Sequence, residues 1–91
     1  MLSLRWSGNA RRQLAHLTEY IGIRDQRAAA ALEEAFNRGA ERLVSFPYIG
    51  RPGPVAGTRE WIVHPNYLFI YRVSANSVDI LRVLHAHQRY P

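Results

Sequence analysis

The hydrophobic and polar positions divide the chain into stretches of two different periods. At the start, Leu2, Leu4 and Trp6 alternate with Ser3 and Arg5 (LSLRW), the two-residue period of a half-buried strand. Ser7, Gly8 and Asn9 then offer a turn and a helix cap. From Ala10 the period lengthens. Ala10, Leu14, Leu17 and Ile21 recur at spacings of four, three and four, which puts them on one stripe of a helix. Gly22 offers a stop. Asp25 can cap a second helix, in which Leu32, Phe36, Gly39, Leu43 and Phe46 form the next apolar seam. The alanines at 28–31 favour this helix, and Glu34 can pair with Arg38 one turn on. The connection is so short that the two stripes predict a helical hairpin, with seams facing each other or a sheet. Gly39 in the seam permits a close neighbour.

Pro47 ends the second helix, and PYIGRPGPVAG (47–57) reads as an ordered loop, too short to separate two domains. Three strand signals follow: TREWIVH (58–64), YLFIYRV (67–73) and VDILRVLH (78–85). The breaks at Pro65-Asn66 and at residues 74–77 are hairpin-sized, so these strands form an antiparallel meander. YLFIYRV is almost continuously apolar, as expected of the central strand. The fold class is therefore α+β, in the order β-α-α-β-β-β, with an N-terminal helical hairpin packed on one face of a twisted antiparallel sheet. Residues 1–91 make one domain.

Composition narrows the chemistry. Hydrophobic residues make up 47% of the chain, enough for a core and too much for a disordered segment. Cysteine is absent, which excludes disulfides and thiolate metal sites. Of the four histidines only His85 and His87 have a ligand-like spacing, so no metal and no cofactor are expected. No apolar run approaches the ~20 residues that span a bilayer. MLSLRWSGNARR also lacks the apolar stretch of a signal peptide, so a cytoplasmic location without a membrane partner is expected. The formal charge is +5, and all 12 basic residues are arginine. Such a surface suits nucleic acid or an acidic protein partner.

The chain resembles the RelE/ParE superfamily of toxins from type II toxin–antitoxin systems, along essentially its whole length. LSLRWSGNARRQLAHLTEYI is similar to that superfamily's opening strand and helix, and ERLVSFPYIGRPG to its helix end and loop. GTREWIVHPNYLFIYRV with ILRVLHAHQRYP is similar to its meander and tail. REWIVHPNYLFIYRV and the ending VLHAHQRYP are closer to the ParE branch. The resemblance implies a bacterial growth-inhibiting toxin silenced by a cognate antitoxin, with operator DNA met only through that antitoxin. It also implies one of two targets. ParE-like members are associated with inhibition of DNA gyrase. RelE-like members cut mRNA in the ribosome.

Nuclease chemistry needs a base, an acid and cations for the developing phosphorane charge. The candidates are Arg59, where RelE-like enzymes carry a phosphate-binding arginine, Arg82, His85, His87 and Tyr90. Each also has a structural reading: Arg59 paired with Glu60, Asp79 or a helix acid, and Arg82 facing solvent between Leu81 and Val83. The loop GRPGPVAG holds no carboxylate and the chain no lysine, which departs from the nuclease pattern. His64 reads as a turn closer, His16 as an outer-face helix residue, and Tyr67 and Tyr71 as core or sheet aromatics with a wet hydroxyl. A binding toxin needs anchors instead, and Trp61, Tyr48, Arg89 and Tyr90 fit that role. The helix arginines Arg11, Arg12, Arg24 and Arg27 form a second candidate surface. A plain nucleic-acid-binding module is the third class; neither a glycine-rich phosphate loop nor an RNP-type aromatic pattern supports it. The expected reading is a ParE-like toxin that inhibits DNA gyrase by binding.

Overall fold

The computed structural model describes residues 2–86. Strand β1 (Ser3–Trp6) is followed by helices α1 (Gly8–Arg24) and α2 (Gln26–Ser45), then by β2 (Arg51–Pro52), β3 (Arg59–His64), β4 (Tyr67–Val73) and β5 (Ser77–His85). The five strands form one sheet in the order β1-β5-β4-β3-β2, so the apolar β4 is central. Both helices lie on one face, α1 over β5 and α2 over β3.

Ser7 begins α1 by accepting a hydrogen bond from the Ala10 N–H, while its hydroxyl donates to the Leu81 carbonyl of β5. A single cap thus ties the helix start to the sheet. The first helix does not stop at Gly22. It runs to Arg24, and the extended Asp25 ends it and starts α2, its carboxylate accepting from the Arg27 and Ala28 N–H groups. The hairpin turn is this one residue. Glu34 pairs with Arg38 as the spacing implied.

Leu32, Phe36 and Leu43 of α2 are buried against Phe69, Tyr71, Val78 and Ile80. Phe36 meets Tyr67 and Phe69 edge-on, and Trp6 meets Phe69 the same way. Phe46 leaves the seam. The helix ends at Ser45, and Phe46 adopts φ −134°, ψ 72°, so its side chain turns outward and is 56% exposed.

The meander is antiparallel, with two irregularities. Ile70 pairs with Arg82 and Tyr71 with Ile80, so Leu81 is an extra residue in β5; a similar shift lies between Ile62 and His64 of β3. The sheet as a whole is mixed rather than antiparallel, because β1 pairs parallel with β5, Leu4 opposite Val78 and Trp6 opposite Ile80. Alternating residues set which side of a strand is buried, but they do not set its neighbour or direction. Where β1 ends, Gln13 of α1 takes over the β5 edge, its side-chain oxygen accepting the Val83 N–H at 2.8 Å. Arg51 and Pro52, within the segment read as loop, make a short edge strand opposite Glu60 and Arg59.

Candidate docking loop and the dispersed nuclease candidates

Directly paired residues on neighbouring strands share a face of the sheet. Arg59 is opposite Tyr71, which is buried under α2, so Arg59 belongs to the helix-covered side. Arg82 is opposite Ile70, which clusters with Leu68 and Leu84 on the other side. The two arginines are on opposite faces. His85 is opposite Tyr67, back on the helix side. It is offset from Arg59 by four positions along β4, about 13 Å, and by two strand spacings, about 10 Å. One scissile phosphate cannot touch all three. His87, Arg89 and Tyr90 lie outside the described residues.

The reverse face does not replace that site. Its centre is apolar, with Ile62, Leu68, Ile70 and Leu84, and Glu60 beside them is paired with Arg51. Asp79 pairs with Arg5 rather than with Arg59. Among the described residues no cluster of three or more His, Cys, Asp or Glu could hold a metal ion, and no helix is long and apolar enough to cross a membrane.

Arg59 has a different occupation. Its guanidinium donates to the Gly50 carbonyl at 2.8 Å and to the Tyr48 carbonyl at 3.5 Å, and lies 5.0 Å above the Tyr48 ring. From beneath, the Tyr71 hydroxyl accepts the Gly50 N–H at 3.0 Å and donates to the Pro47 carbonyl at 2.8 Å. That hydroxyl is not wet, as its exposure on a sheet surface would have made it; Tyr71 is completely buried. Burial pushes the phenol above its ordinary pKa, while the Gly50 N–H and the Arg59 charge pull it partly back. The loop after α2 is therefore pinned at three carbonyls and one N–H.

The pinned loop turns its apolar side chains outward. Phe46 is 56% exposed, Tyr48 68% and Ile49 38%. With Ser45 and Pro47 they rim an open depression of about 380 Å³. Arg42 lies 5.4 Å above the Phe46 ring, so each exposed ring is backed by a guanidinium. Tyr48 was legible as an anchor; Phe46 was not. The signal was the following Pro47, which disfavours a helical Phe46 and so removes it from the seam.

Trp61 packs against the core from β3, and its indole N–H is buried with no partner among the described residues. His64 closes its turn, its Nδ1 accepting the Asn66 N–H. His16 is exposed on α1 and lines a groove of about 240 Å³ with Gln13, Leu17, Tyr67, Val83 and His85. A second groove, of about 380 Å³, runs between the helices past Trp6, Arg11, Leu14, Thr18 and Asn37.

Comparison with known proteins agrees with the fold and places the chain in a family. Residues 4–90 match the family described as ParE toxin of type II toxin-antitoxin system, parDE. Y4kP of Sinorhizobium fredii (strain NBRC 101917 / NGR234), named as a candidate toxin, is 37% identical over 97% of this chain and 92% of its own. Toxin RelE2 of Caulobacter vibrioides (strain ATCC 19089 / CIP 103742 / CB 15) is 31% identical over 94% of this chain and 97% of its own. Among solved structures, the chromosomal ParDE toxin–antitoxin system from P. aeruginosa superposes with a TM-score of 0.81 at 22% identity, covering 93% of this chain and 96% of that one. A YoeB/ParE toxin from Agrobacterium tumefaciens superposes with a TM-score of 0.64 at 18% identity, over 94% and 100%. The sequence match over residues 4–90 and the two relatives above 30% identity make this chain a member of the ParE toxin family of type II toxin–antitoxin systems.

Proposed function

We propose that this toxin arrests growth by binding its target rather than by cutting RNA, that the target is DNA gyrase, and that a cognate antitoxin holds it inactive. The observation that carries the reading is the separation of Arg59 from Arg82 across the sheet, with Arg59 engaged by the carbonyls of Tyr48 and Gly50. A phosphoryl-transfer site concentrates cations and proton carriers on one small volume. A blocking protein needs only a rigid surface with apolar anchors, and the loop at 46–49 has that form. The ParE family match adds to this reading.

The antitoxin suits the two grooves on the helix side. A segment that folds on binding gains apolar contact in a groove, and carboxylates on it are attracted by the net charge of +5. Operator DNA is reached through the antitoxin.

The second reading, ribosome-dependent mRNA cleavage, draws on the name of the Caulobacter relative and on the exposed Arg82. The experiment separates the two. Purified toxin is assayed for gyrase supercoiling and, in a translating extract, by primer extension. The proposal expects blocked supercoiling and intact mRNA. Codon-dependent cuts with normal supercoiling would replace it with the second reading.

A further inference from the structure

We infer that the loop carrying Phe46, Tyr48 and Ile49 is the surface by which the toxin grips its cellular target, and that it seats in an acidic-rimmed apolar socket of a folded protein. The inference rests on the proposed binding mode, and it names the place on this chain where binding occurs.

Three observations carry it. The first is preorganisation. The loop backbone is held by Tyr71 from below and Arg59 from the side, so little backbone ordering cost remains on binding. The ring of Tyr71 fills the core, while its hydroxyl bonds loop backbone and stabilises the loop's shape. The second is the direction of the apolar groups. Phe46 and Tyr48 project outward, while the core is filled by other residues. Projecting side chains on a stiff backbone are knobs, and a preformed socket is a property of a folded partner. A chain that orders on binding fits grooves instead, and those lie on the helix side.

The third is charge. Arg42 and Arg59 back the two rings, and residues 43–59 contain no carboxylate. Of the flanking carboxylates, Glu60 is neutralised by Arg51, and Glu41 lies directly before Arg42 on α2. A second copy of this chain meeting the patch face to face would bring those arginines together, so self-association is disfavoured. Carboxylates around an apolar socket would meet the guanidiniums instead.

The test uses the full-length toxin, co-produced with its antitoxin and then separated from it. Phe46→Ala with Tyr48→Ala removes the knobs, and Arg42→Glu reverses one backing charge. Ile23→Ala, at an exposed apolar position on the hairpin tip, is the control. Each protein is read by growth arrest on induction, by antitoxin affinity and by thermal unfolding. The double variant and Arg42→Glu are each expected to raise the toxin dose for half-arrest by roughly 30-fold, the loss typical of a hot-spot residue. Antitoxin affinity stays at the parental value, and so does the melting temperature of the double variant; Arg42→Glu melts slightly lower, because it puts an anion in the last turn of α2, and Ile23→Ala behaves as the parent. Undiminished growth arrest overturns the inference. So does a parallel loss of antitoxin binding, which would give the loop to the antitoxin. Growth arrest reports any target. If the double variant loses arrest while the parental toxin leaves supercoiling untouched, the surface stands and the gyrase assignment falls.

Discussion

The hydroxyl of Tyr71, on the central strand, accepts a hydrogen bond from the Gly50 N–H at 3.0 Å across 21 residues of chain. With its donation to the Pro47 carbonyl, this contact sets the shape of the loop on which the proposed function depends. Tyr71→Phe keeps the ring and removes both bonds, leaving the buried Gly50 N–H and the half-buried Pro47 carbonyl without their partner. A loss of roughly 1–3 kcal/mol is expected in urea unfolding. Gly50→Ala should be at least as harmful, because a Cβ there would lie 2.5 Å from the Glu60 carbonyl and 2.6 Å from the Tyr71 hydroxyl. Parental stability in Tyr71→Phe would mean that the loop is held without the tyrosine.

The same hydroxyl gives the fold a one-sided sensitivity to alkali. Its folded pKa is raised by burial, against an unfolded value of about 10. Above that pH the unfolded chain loses the proton while the native state keeps it, so stability falls as pH rises. Below it both states are protonated, and this group contributes no pH dependence. Urea midpoints measured from pH 8 to pH 11 should fall only in the upper part of the range, and Tyr71→Phe should fall less.

Gly39 faces Val63 so closely that a Cβ would lie 2.5 Å from the valine Cγ1 and 2.9 Å from its Cβ. Gly39→Ala gains up to about 1 kcal/mol of helix propensity and forces α2 away from β3, at about 1–3 kcal/mol. A net loss is expected in thermal unfolding. Val63→Ala removes the closer contact, so the double variant should be more stable than the sum of the two single changes implies.

Asp25 both ends α1 and caps α2, accepting from Arg27 and Ala28 at 3.0 Å and 3.1 Å. Asp25→Ala is expected to lower unfolding stability by about 1 kcal/mol. Asp25→Asn, which keeps an acceptor, should recover most of that loss.

The dispersed nuclease candidates yield the complementary prediction. His85→Ala with His87→Ala, and Arg82→Ala separately, should leave growth arrest within about threefold of the parent, the spread typical of surface changes. Arg59→Ala should weaken arrest together with thermal stability, since it unpins the Tyr48 and Gly50 carbonyls. Abolished arrest in the histidine variant, with antitoxin binding and melting temperature intact, would restore the catalytic reading.

Much of the fold was legible in the sequence. The stripes of Leu14, Leu17, Leu32 and Phe36 identify both helices, and the hairpin-sized breaks identify the meander, because amphipathic period and turn chemistry are properties of neighbouring residues. The candidate site was legible only in part. Tyr48 stood out as a candidate anchor in a loop dense in proline and glycine. Arg59 was visible as a cation, but its use was not, because the carbonyls it holds come from another part of the chain.

By itself, then, the sequence determined the apolar stripes of the two helices as far as Leu43, the order of the meander strands, and that the chain is basic through arginine alone. Tertiary structure decided the rest. One additional residue in β5, Leu81, carries Arg82 to the face opposite Arg59, since side chains alternate and a single slip reverses them. The parallel partner of β1 and the reach of Tyr71 to Gly50 depend equally on long-range pairing. The register shift at Leu81 separates Arg59 from Arg82, and the Tyr71 contact stiffens the loop.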